Sequence, residues 1–260
     1  MVKDVLEILD LLYKHGWDER NGGNLSVIVD KKDLEGYIID KVIRKYQYSF
    51  DMSSIVGKYF IITGTGKYFK NAIKDPENTI GIFKVLDKNN LELLWGLKDG
   101  GGPTSETPTH LQCHIERLLK DENHRVVMHC HPDNLIAMSH IHPLDENSFT
   151  LDLWKMQTES IVVFPEGVGV LPWMVCGGRK IGDATASKMK MYRSVVWAQH
   201  GLFCTGTSLD ETFGLVETIE KAATIYMKIF DKKIYQSITN EQLKELAKEF
   251  HLNYKKGVID

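Results

Sequence analysis

The sequence contains few cysteines, no excess of basic residues and no long apolar run. Its cysteines are scattered, without a Cys-x-x-Cys pair, at positions Cys113, Cys130, Cys176 and Cys204. This spacing argues against a disulfide framework and a cysteine-based zinc site, and it favours reduced core thiols in a cytoplasmic protein. The formal net charge of -3 argues against a nucleic-acid-binding protein. Since no apolar stretch could span a bilayer and no signal peptide opens the chain, we expect neither membrane insertion nor export.

Length and composition indicate a globular protein of one or two domains. The chain has 260 residues, and 43% of them are hydrophobic, which is enough for a sizeable core. No repeat, low-complexity segment or linker interrupts it, so we expect a single domain over residues 1–260. Two apolar runs at 80–86 and 91–95 are joined by the polar turn 87–90, which predicts an antiparallel hairpin. Strands joined without regular β-α-β alternation indicate an α/β domain with an antiparallel or mixed sheet.

The spacing of apolar residues predicts the other elements. We expect helices over residues 2–15, 134–139, 148–157 and 179–192, one after Pro108, one from Ser208 to about 230 and one from about 239. We expect strands over 25–29, 59–63 and 161–164, and one over 194–204 that bends at His200 and Gly201. The charged segment 31–58 is expected to be a peripheral loop with one short helix near 37–46.

The stretch 125–131 is the centre of the predicted site. It begins as an apolar run and ends with His129 and His131, whose i and i+2 spacing on a strand points both side chains to one face. A third histidine, His200, leaves another apolar run. Three nitrogen ligands with one position open are typical of a catalytic zinc, although two polar residues leaving a sheet would explain the pair alone. A second His-x-His at 140–142 is expected on a helix, where i and i+2 do not share a face.

Three glycine- or hydroxyl-rich turns are candidate anion sites. In the segment 21–24, backbone N–H groups can turn toward one point, although a plain β-turn explains the segment equally well. The turn 64–67 looks like a phosphate loop but fails both the Walker A pattern and the dinucleotide fingerprint. In the segment 100–108, the hydroxyls of Thr104 and Ser105 precede a helix start, where free N–H groups bind anions.

Glu106, in the third of these turns, is the candidate general base, and a helix-capping carboxylate is the alternative. A zinc ion can polarise a carbonyl and stabilise the enediolate next to it, while a nearby carboxylate moves the proton on the α carbon. The anion turns would hold a phosphate that does not react. These parts suggest carbon–carbon bond chemistry on a phosphorylated sugar. They leave open an aldolase, an isomerase or epimerase, and a zinc hydrolase, although the hydrolase motif His-Glu-x-x-His is missing.

The motifs, taken in order, resemble those of the class II aldolase and adducin family. The matching segments are 17–25, 63–67, 103–106, 128–131, 162–169, 200–201 and 209–215. The likeness runs over nearly the whole chain, from about residue 16 to residue 250. It implies a single three-layer α/β/α domain around a mostly antiparallel sheet. It also implies a cyclic homotetramer with sites between subunits, one Zn²⁺ in each subunit and a small sugar-phosphate substrate.

The resemblance also implies roles for individual residues. Zinc would be bound by His129, His131 and His200. The phosphate of dihydroxyacetone phosphate would be bound by Asn21, Asn24, Thr65, Gly66, Thr104 and Ser105. Glu106 would move the proton next to the carbonyl, and Glu159 would reach the neighbouring subunit's site near the aldehyde. Without the resemblance, Glu159 is interpreted as a solvated charge at the start of a strand.

Two alternatives remain within the resemblance. The first is a sister sugar-phosphate aldolase or epimerase, which would use much the same residues. The second is a non-catalytic interaction module like the adducin head. The presence of all three histidines and Glu106 argues against the module.

Overall fold

A mostly antiparallel sheet forms the centre of the protein in a computed structural model, which describes residues 1–37 and 41–260. In chain order, its strands are β1 (Asn24–Val29), β2 (Arg44–Gln47), β3 (Tyr59–Thr63), β4 (Ile80–Val85), β5 (Asn90–Gly96), β6 (Val126–Cys130), β7 (Gly169–Leu171), β8 (Ser194–Trp197) and β9 (Gly201–Gly206). Across the sheet, the order is β2-β5-β4-β3-β1-β6-β9-β8-β7. Neighbouring strands are antiparallel except for the parallel pair β7 and β8. The expected α/β fold is confirmed.

Helices cover both faces of this sheet. In chain order, they are α1 (Val2–His15), α2 (Pro76–Thr79), α3 (Thr107–Leu118), α4 (Asp133–Ile141), α5 (Glu146–Met156), α6 (Glu159–Val163), α7 (Arg179–Met189), α8 (Leu209–Ile229) and α9 (Asn240–Glu249). On one face, α8 packs against β6 and β9 and contacts α1, α4 and α5; on the other, α3 and α7 pack against β6, β7 and β8. This is the three-layer arrangement that the resemblance implied. Within the described part of the chain, no helix combines the length and the apolar character needed to cross a membrane.

The strand β6 separates two apolar cores. Val126 and Met128 join the larger core beneath α8, whereas Val127 joins a smaller cluster with residues of α3 and α7. Because side chains alternate along a strand, His129 lies on the α3 side with Val127. The whole strand is buried, so its histidine is held by packed structure rather than by a loop.

The predicted bent strand over 194–204 is wrong. The segment forms two strands, β8 and β9, which pair antiparallel to each other with Trp197 opposite Gly201. A turn through Gln199 and His200 joins them. Gln199 has a φ of 56°, and the amide of His200 donates to the carbonyl oxygen of Trp197 at 3.0 Å. The chain therefore reverses its direction at the point where we expected a bend.

The predicted strand over 161–164 is also wrong, because Glu159–Val163 is the helix α6. β-branched residues favour strands, but this preference is small and yields to tertiary packing. Here, α6 packs against α5, α8 and α9, and Ile161 is completely buried. The amide of Phe164 donates to the carbonyl oxygen of Ser160 at 3.0 Å, which completes the last helical turn.

The segment 31–58 contains a strand where we expected a helix near 37–46. Residues 38–40 of that expected helix lie outside the described residues. The strand β2 pairs with β5 at the edge of the sheet, with Arg44 opposite Leu93. Its side chains alternate between half-buried and exposed, as expected for an edge strand with one face toward solvent. Short 3-10 turns at Lys31–Leu34 and Ser53–Ile55 complete the segment.

Candidate metal centre

Three histidines meet at one end of the pair β6 and β9. His129 belongs to β6, His131 follows it, and His200 lies in the turn before β9. The antiparallel register places His129 opposite Phe203, which brings the end of β6 beside that turn. Nitrogen atoms of the three rings all lie within 4.8 Å of one another. One metal ion could contact all three.

Two of the three rings are oriented by hydrogen bonds from their Nδ1 atoms. Nδ1 of His129 donates to the carbonyl oxygen of Leu202 at 3.0 Å, and Nδ1 of His131 donates to the carboxylate of Glu19 at 3.0 Å. These bonds leave Nε2 of each ring as the nitrogen with a free lone pair. A carbonyl or carboxylate behind the ring is the usual support of a metal-binding histidine.

The electrostatics of the site favour neutral imidazoles. Burial, with the neighbouring rings of His131 and His200, lowers the pKa of His129 well below its ordinary value. Burial and the ring of His131 lower the pKa of His200 to about 4. Neutral imidazole is the form that binds a metal. Three imidazole nitrogens fit Zn²⁺, which keeps three protein ligands and an open position at catalytic sites.

Glu106 lies beside these histidines, at the N-cap position of α3. Its Oε2 is 3.7 Å from Nε2 of His129 and accepts a hydrogen bond of 2.8 Å from Nδ2 of Asn24. Its side chain makes no capping hydrogen bond within the described chain, so the helix-capping interpretation of Glu106 is wrong. Burial raises the pKa of Glu106 to about 7, against the opposing effect of the Asn24 hydrogen bond. A carboxyl group with a pKa near neutrality can both accept and release a proton.

Two glycines allow close packing around the histidines. A Cβ at Gly22 would lie 2.8 Å from the ring of His131, and a Cβ at Gly201 would clash with the carbonyl oxygen of Cys130. Any larger residue at either position would force the backbone or the ring to move. The glycine-rich turn 21–24 is therefore packed directly against one of the three histidines.

Two of the three predicted phosphate-binding turns are joined to each other. The amide of Thr65 donates to the carbonyl oxygen of Gly102 at 2.9 Å. Thr104 is buried, whereas Thr65, Gly66 and Ser105 are exposed and accessible to a ligand. The structure therefore brings four of the six predicted residues into two adjoining turns, and three of the four are at the surface.

The other two predicted residues lie in the turn beside His131. Asn21 is exposed, whereas Asn24 is buried in the first position of β1. Both ends of the Asn24 amide are engaged within the protein, since Nδ2 donates to Glu106 and Oδ1 contacts Nε2 of His110. The Asn24 side chain thus supports the candidate base.

Glu159 lies apart from the histidines within this chain. It is the first residue of α6, it is exposed, and it lines a surface groove with His15, Trp17 and Lys221. The described residues that line this groove include none of the three histidines. Its exposure agrees with a solvated charge, although it begins a helix and not a strand.

The sequence alone did not identify Glu19 and His110 as parts of the site, because both act through partners distant in sequence.

The four cysteines were expected to be core thiols, which is correct for Cys113, Cys130 and Cys204. It is wrong for Cys176, which is exposed. Its Sγ lies within 4.8 Å of ligand atoms of Glu106 and His200, so this thiol lies at the opening of the site.

The pair His140 and His142 takes no part in the cluster. His140 is exposed, and His142 is buried. Nε2 of His142 contacts the carboxylate of Asp152 at 2.9 Å, and Nδ1 contacts the carbonyl oxygen of Pro143 at 2.7 Å. Both nitrogens of His142 are therefore used by protein acceptors.

Comparison with known proteins identifies the family of the chain. The family model described as "Class II Aldolase and Adducin N-terminal domain" matches residues 3–227. The chain is 47% identical to a rhamnulose-1-phosphate aldolase of Listeria monocytogenes, covering 100% of this chain and 96% of that protein. It is 46% identical to a rhamnulose-1-phosphate aldolase of Enterococcus faecalis, covering 100% and 94%.

Solved structures show the same architecture. The crystal structure of a sugar-phosphate aldolase from Thermotoga maritima matches with a TM-score of 0.76 and 29% identity, covering 88% of this chain and 94% of that one. An L-fuculose 1-phosphate aldolase matches with a TM-score of 0.62 and 20% identity, covering 96% of each chain, and shows the shared fold. The match over most of the chain, together with relatives that are nearly half identical, shows that this chain belongs to the class II aldolase and adducin family.

Proposed function

We propose that the protein is a zinc-dependent aldolase that cleaves L-rhamnulose 1-phosphate reversibly into dihydroxyacetone phosphate and L-lactaldehyde, as in L-rhamnose catabolism. The observation that carries the proposal is the cluster of three histidines with buried Glu106 beside it. It occurs in a chain that is 47% identical over its full length to a rhamnulose-1-phosphate aldolase. The proposed partner is a small sugar phosphate, and we expect the protein to bind neither a nucleic acid nor a membrane.

The cleavage breaks one carbon–carbon bond and transfers two protons. The C4 hydroxyl loses one proton, which balances the proton gained later at C3, and C4 with its oxygen becomes the aldehyde of L-lactaldehyde as the bond between C3 and C4 breaks. The bonding electrons stay with the three-carbon fragment as an enediolate, which is protonated at C3 to give dihydroxyacetone phosphate. Zn²⁺ bound by His129, His131 and His200 supplies a Lewis acid for the carbonyl and the developing negative charge.

Glu106 delivers the proton to C3 in this proposal. Its carboxyl group lies 3.7 Å from His129. It would therefore lie next to a substrate whose carbonyl group is bound at the three histidines. Asn24 donates a hydrogen bond to Oε2, which leaves Oε1 to transfer the proton to the reacting carbon. Because Glu106 is buried, its proton transfer takes place away from bulk water, where electrostatic interactions are stronger.

In this proposal, the phosphate of the substrate is held by Asn21, Asn24, Thr65, Gly66, Thr104 and Ser105. Asn24 would use the second N–H of its Nδ2, because the other donates to Glu106. Support comes from the direct hydrogen bond between the turns of Thr65 and Thr104 and from the exposure of most of these residues. Hydroxyl groups and backbone N–H groups at the start of α3 are suited to an anion. Binding a phosphate that does not react orients the carbonyl toward the histidines.

We also infer that Glu159 acts near the aldehyde in the site of a neighbouring subunit of a cyclic homotetramer. Support comes from its exposure and its position in a groove that lacks the three histidines. Glu159→Gln should then lower turnover without changing zinc content. Mixing this variant with Glu106→Gln should restore part of the activity, because some mixed sites would receive both wild-type carboxylates. Failure of the mixture to regain activity after verified subunit exchange would contradict this role.

The first test is aldol cleavage of L-rhamnulose 1-phosphate, with dihydroxyacetone phosphate followed through a coupled reductase. The assay is run before chelation, after chelation and after zinc is added back. We expect activity to disappear with the chelator and return with zinc. If protein with verified zinc does not cleave the substrate, the assignment fails, and the same assay on L-fuculose 1-phosphate tests the sister aldolase.

The role of Glu106 is tested with a matched pair of variants. Glu106→Gln should keep the fold and the zinc content but lose turnover by about a hundredfold or more, since general acid–base catalysis contributes that much. Glu92→Gln is the control, because Glu92 is also buried but pairs with Lys45 on β2. Unchanged turnover in Glu106→Gln would remove this carboxylate from the mechanism.

A further inference from the structure

A chain of buried polar side chains extends away from the candidate site. Nε2 of His110 contacts Oδ1 of Asn24, and Nδ1 of His110 contacts Oγ of Ser26 at 2.7 Å. The same Oγ contacts Nε2 of His114 at 2.8 Å, and Nδ1 of His114 contacts Nε2 of His124 at 2.8 Å. Three histidines outside the metal cluster are thus connected in one row. We call these five residues the histidine chain.

The histidine chain follows from the spacing of residues on two elements. Asn24 and Ser26 are two positions apart on β1, so they point to the same face of the sheet. His110 and His114 are four positions apart on α3, so they point to the same side of the helix. α3 packs on this face, and the two polar pairs meet between them. Glu106 is at the start of the same helix, one turn before His110.

The surroundings keep these histidines uncharged. Ser26, His110 and His114 are completely buried, and His124 is 2% exposed. Burial lowers the pKa of His110 and of His124 to about 3, and lowers that of His114 well below its ordinary value. A neutral imidazole has one donor nitrogen and one acceptor nitrogen. Each ring must therefore adopt one tautomer that suits both of its neighbours.

The carboxylate of Glu106 sets the direction of the whole chain. Nδ2 of Asn24 donates to Oε2 of Glu106, and an amide oriented in this way presents its Oδ1, an acceptor, to His110. His110 then donates from Nε2 and accepts at Nδ1 from the Ser26 hydroxyl. Ser26 accepts from Nε2–H of His114, whose Nδ1 accepts from Nε2–H of His124. A single set of Nε2–H tautomers satisfies every contact.

We propose that His110 is a positioning residue, which fixes the Asn24 amide so that its N–H group holds the carboxylate of Glu106 beside His129. This inference rests on the proposed aldolase function, because it assigns a support to the proton-transferring group. Without the donor at Nε2 of His110, the amide could turn its oxygen toward the carboxylate. Two acceptors would then face each other, and Glu106 would move away from its place.

The test compares two substitutions that each keep one half of the imidazole. His110→Gln keeps a donor near the position of Nε2 and loses the contact with Ser26. His110→Asn keeps an acceptor near Nδ1 and loses the donor to Asn24. We expect His110→Asn to lower kcat about tenfold or more, as for other outer supports of a site. His110→Gln should recover most of kcat, and KM should change less than about twofold in both, since neither variant touches the substrate.

The control is His142→Gln, because His142 is another buried histidine with two protein partners, but it lies at the end of α4 and contacts no member of the histidine chain through these bonds. Rates are expressed per folded subunit with bound zinc, from thermal unfolding and metal analysis. The control should keep the wild-type kcat. Equal kcat values for His110→Gln and His110→Asn would overturn the proposal, since a purely structural role would not distinguish them.

A second measurement does not require activity. Nitrogen-15 NMR of histidine-labelled protein reports the tautomer of each ring, and the His→Gln variants assign the signals of His110, His114 and His124. We expect three neutral Nε2–H rings. A charged His110 or an Nδ1–H tautomer would overturn the proposal. A wild-type protein that shows the expected tautomers but no aldol cleavage would contradict the proposed function and leave the hydrogen-bond arrangement intact.

Discussion

Two groups of histidines lie on the α3 side of the sheet, and they differ in how their ring nitrogens are used. His129 and His131 each have one nitrogen bound to a protein acceptor and the other without such a bond among the described residues. His110 and His114 have both nitrogens hydrogen-bonded to protein groups. A ring with a free lone pair can bind a metal ion, whereas a ring with two partners can only hold those partners in place.

Charge does not separate the two groups. Burial lowers the pKa in both, to about 3 for His110 and to about 4 for His200. Access separates them only in part, because His131 and His200 are half-buried, whereas His129 is buried like His110 and His114. A ring nitrogen without a protein hydrogen bond therefore distinguishes a candidate ligand from a structural histidine in this protein.

The largest effect is expected from removing one of the candidate ligands. His200→Ala should lose bound zinc and lower turnover by more than about a hundredfold, because even the outer partners of ligands contribute about ten- to a hundredfold. Zinc content is measured by atomic emission and turnover by the coupled assay, with His142→Gln as the control. Full zinc occupancy in His200→Ala would remove the distinction between the two groups.

A stability effect is expected from breaking the histidine chain in its middle. Ser26→Ala removes the partner of both Nδ1 of His110 and Nε2 of His114. Leaving such groups unpaired in the interior should lower the free energy of unfolding by about 2 kcal/mol. Urea unfolding measures this loss.

The matched control for Ser26 is Ser160→Ala. Oγ of Ser160 is buried and has no hydrogen-bond partner among the described residues. Removing it should therefore not lower the free energy of unfolding. Equal losses in the two alanine variants would show that the contacts of Ser26 contribute nothing to stability.

A smaller effect is expected from the support behind His131. Glu19→Ala removes the acceptor of the Nδ1–H group and should weaken zinc binding about tenfold, at the lower end for such partners because Glu19 is 68% exposed. Competition with a chromophoric chelator measures the affinity. Glu19→Gln keeps an acceptor oxygen and should bind zinc more tightly than Glu19→Ala. The opposite order would contradict the supporting role.

The smallest effect concerns a third use of a buried histidine, the pair of His142 with Asp152. Burial by itself would lower the pKa of His142, but the hydrogen bonds to Asp152 and to Pro143 raise it above its ordinary value. Stability from the charged pair is fully present below the unfolded pKa of about 6.5 and is lost as pH rises through the raised folded pKa. Asp152→Asn should therefore cost less than about 1 kcal/mol at low pH, and nothing at high pH. Urea unfolding at the two pH values tests this, and a cost that grows with pH would contradict it.

The grouping of His129, His131 and His200 could be predicted from local patterns, because strand alternation and a glycine after the third histidine are visible in the sequence. The helix α6 could not be predicted in this way, since Ile161 and its β-branched neighbours favour a strand by themselves and form a helix only in the context of α8 and α9. The β8–β9 turn was predicted as a bend because a single glycine does not show whether the chain continues or reverses.

The histidine chain shows a second limit of sequence reasoning. The spacing of His110 and His114 on one helical face is visible in the sequence. Their partners Asn24 and Ser26, however, are more than 80 positions away. Only the packing of α3 on β1 brings the two pairs together, and neither segment indicates this contact by itself. Glu19 was missed for the same reason, since it meets His131 across 112 positions.

The pairing of β1 with β6 has a consequence for how uniformly active the folded subunits are. Asn24 lies opposite His129, and Ser26 lies opposite Val127. If β1 slipped by one residue relative to β6, Asn24 and Ser26 would turn to the α8 side, and Leu25 and Val27 would face the buried imidazoles. Such a chain would lose its apolar packing and its support for Glu106 at once. We therefore expect no long-lived, partly active misfolded form, and titration of the sites should count folded subunits.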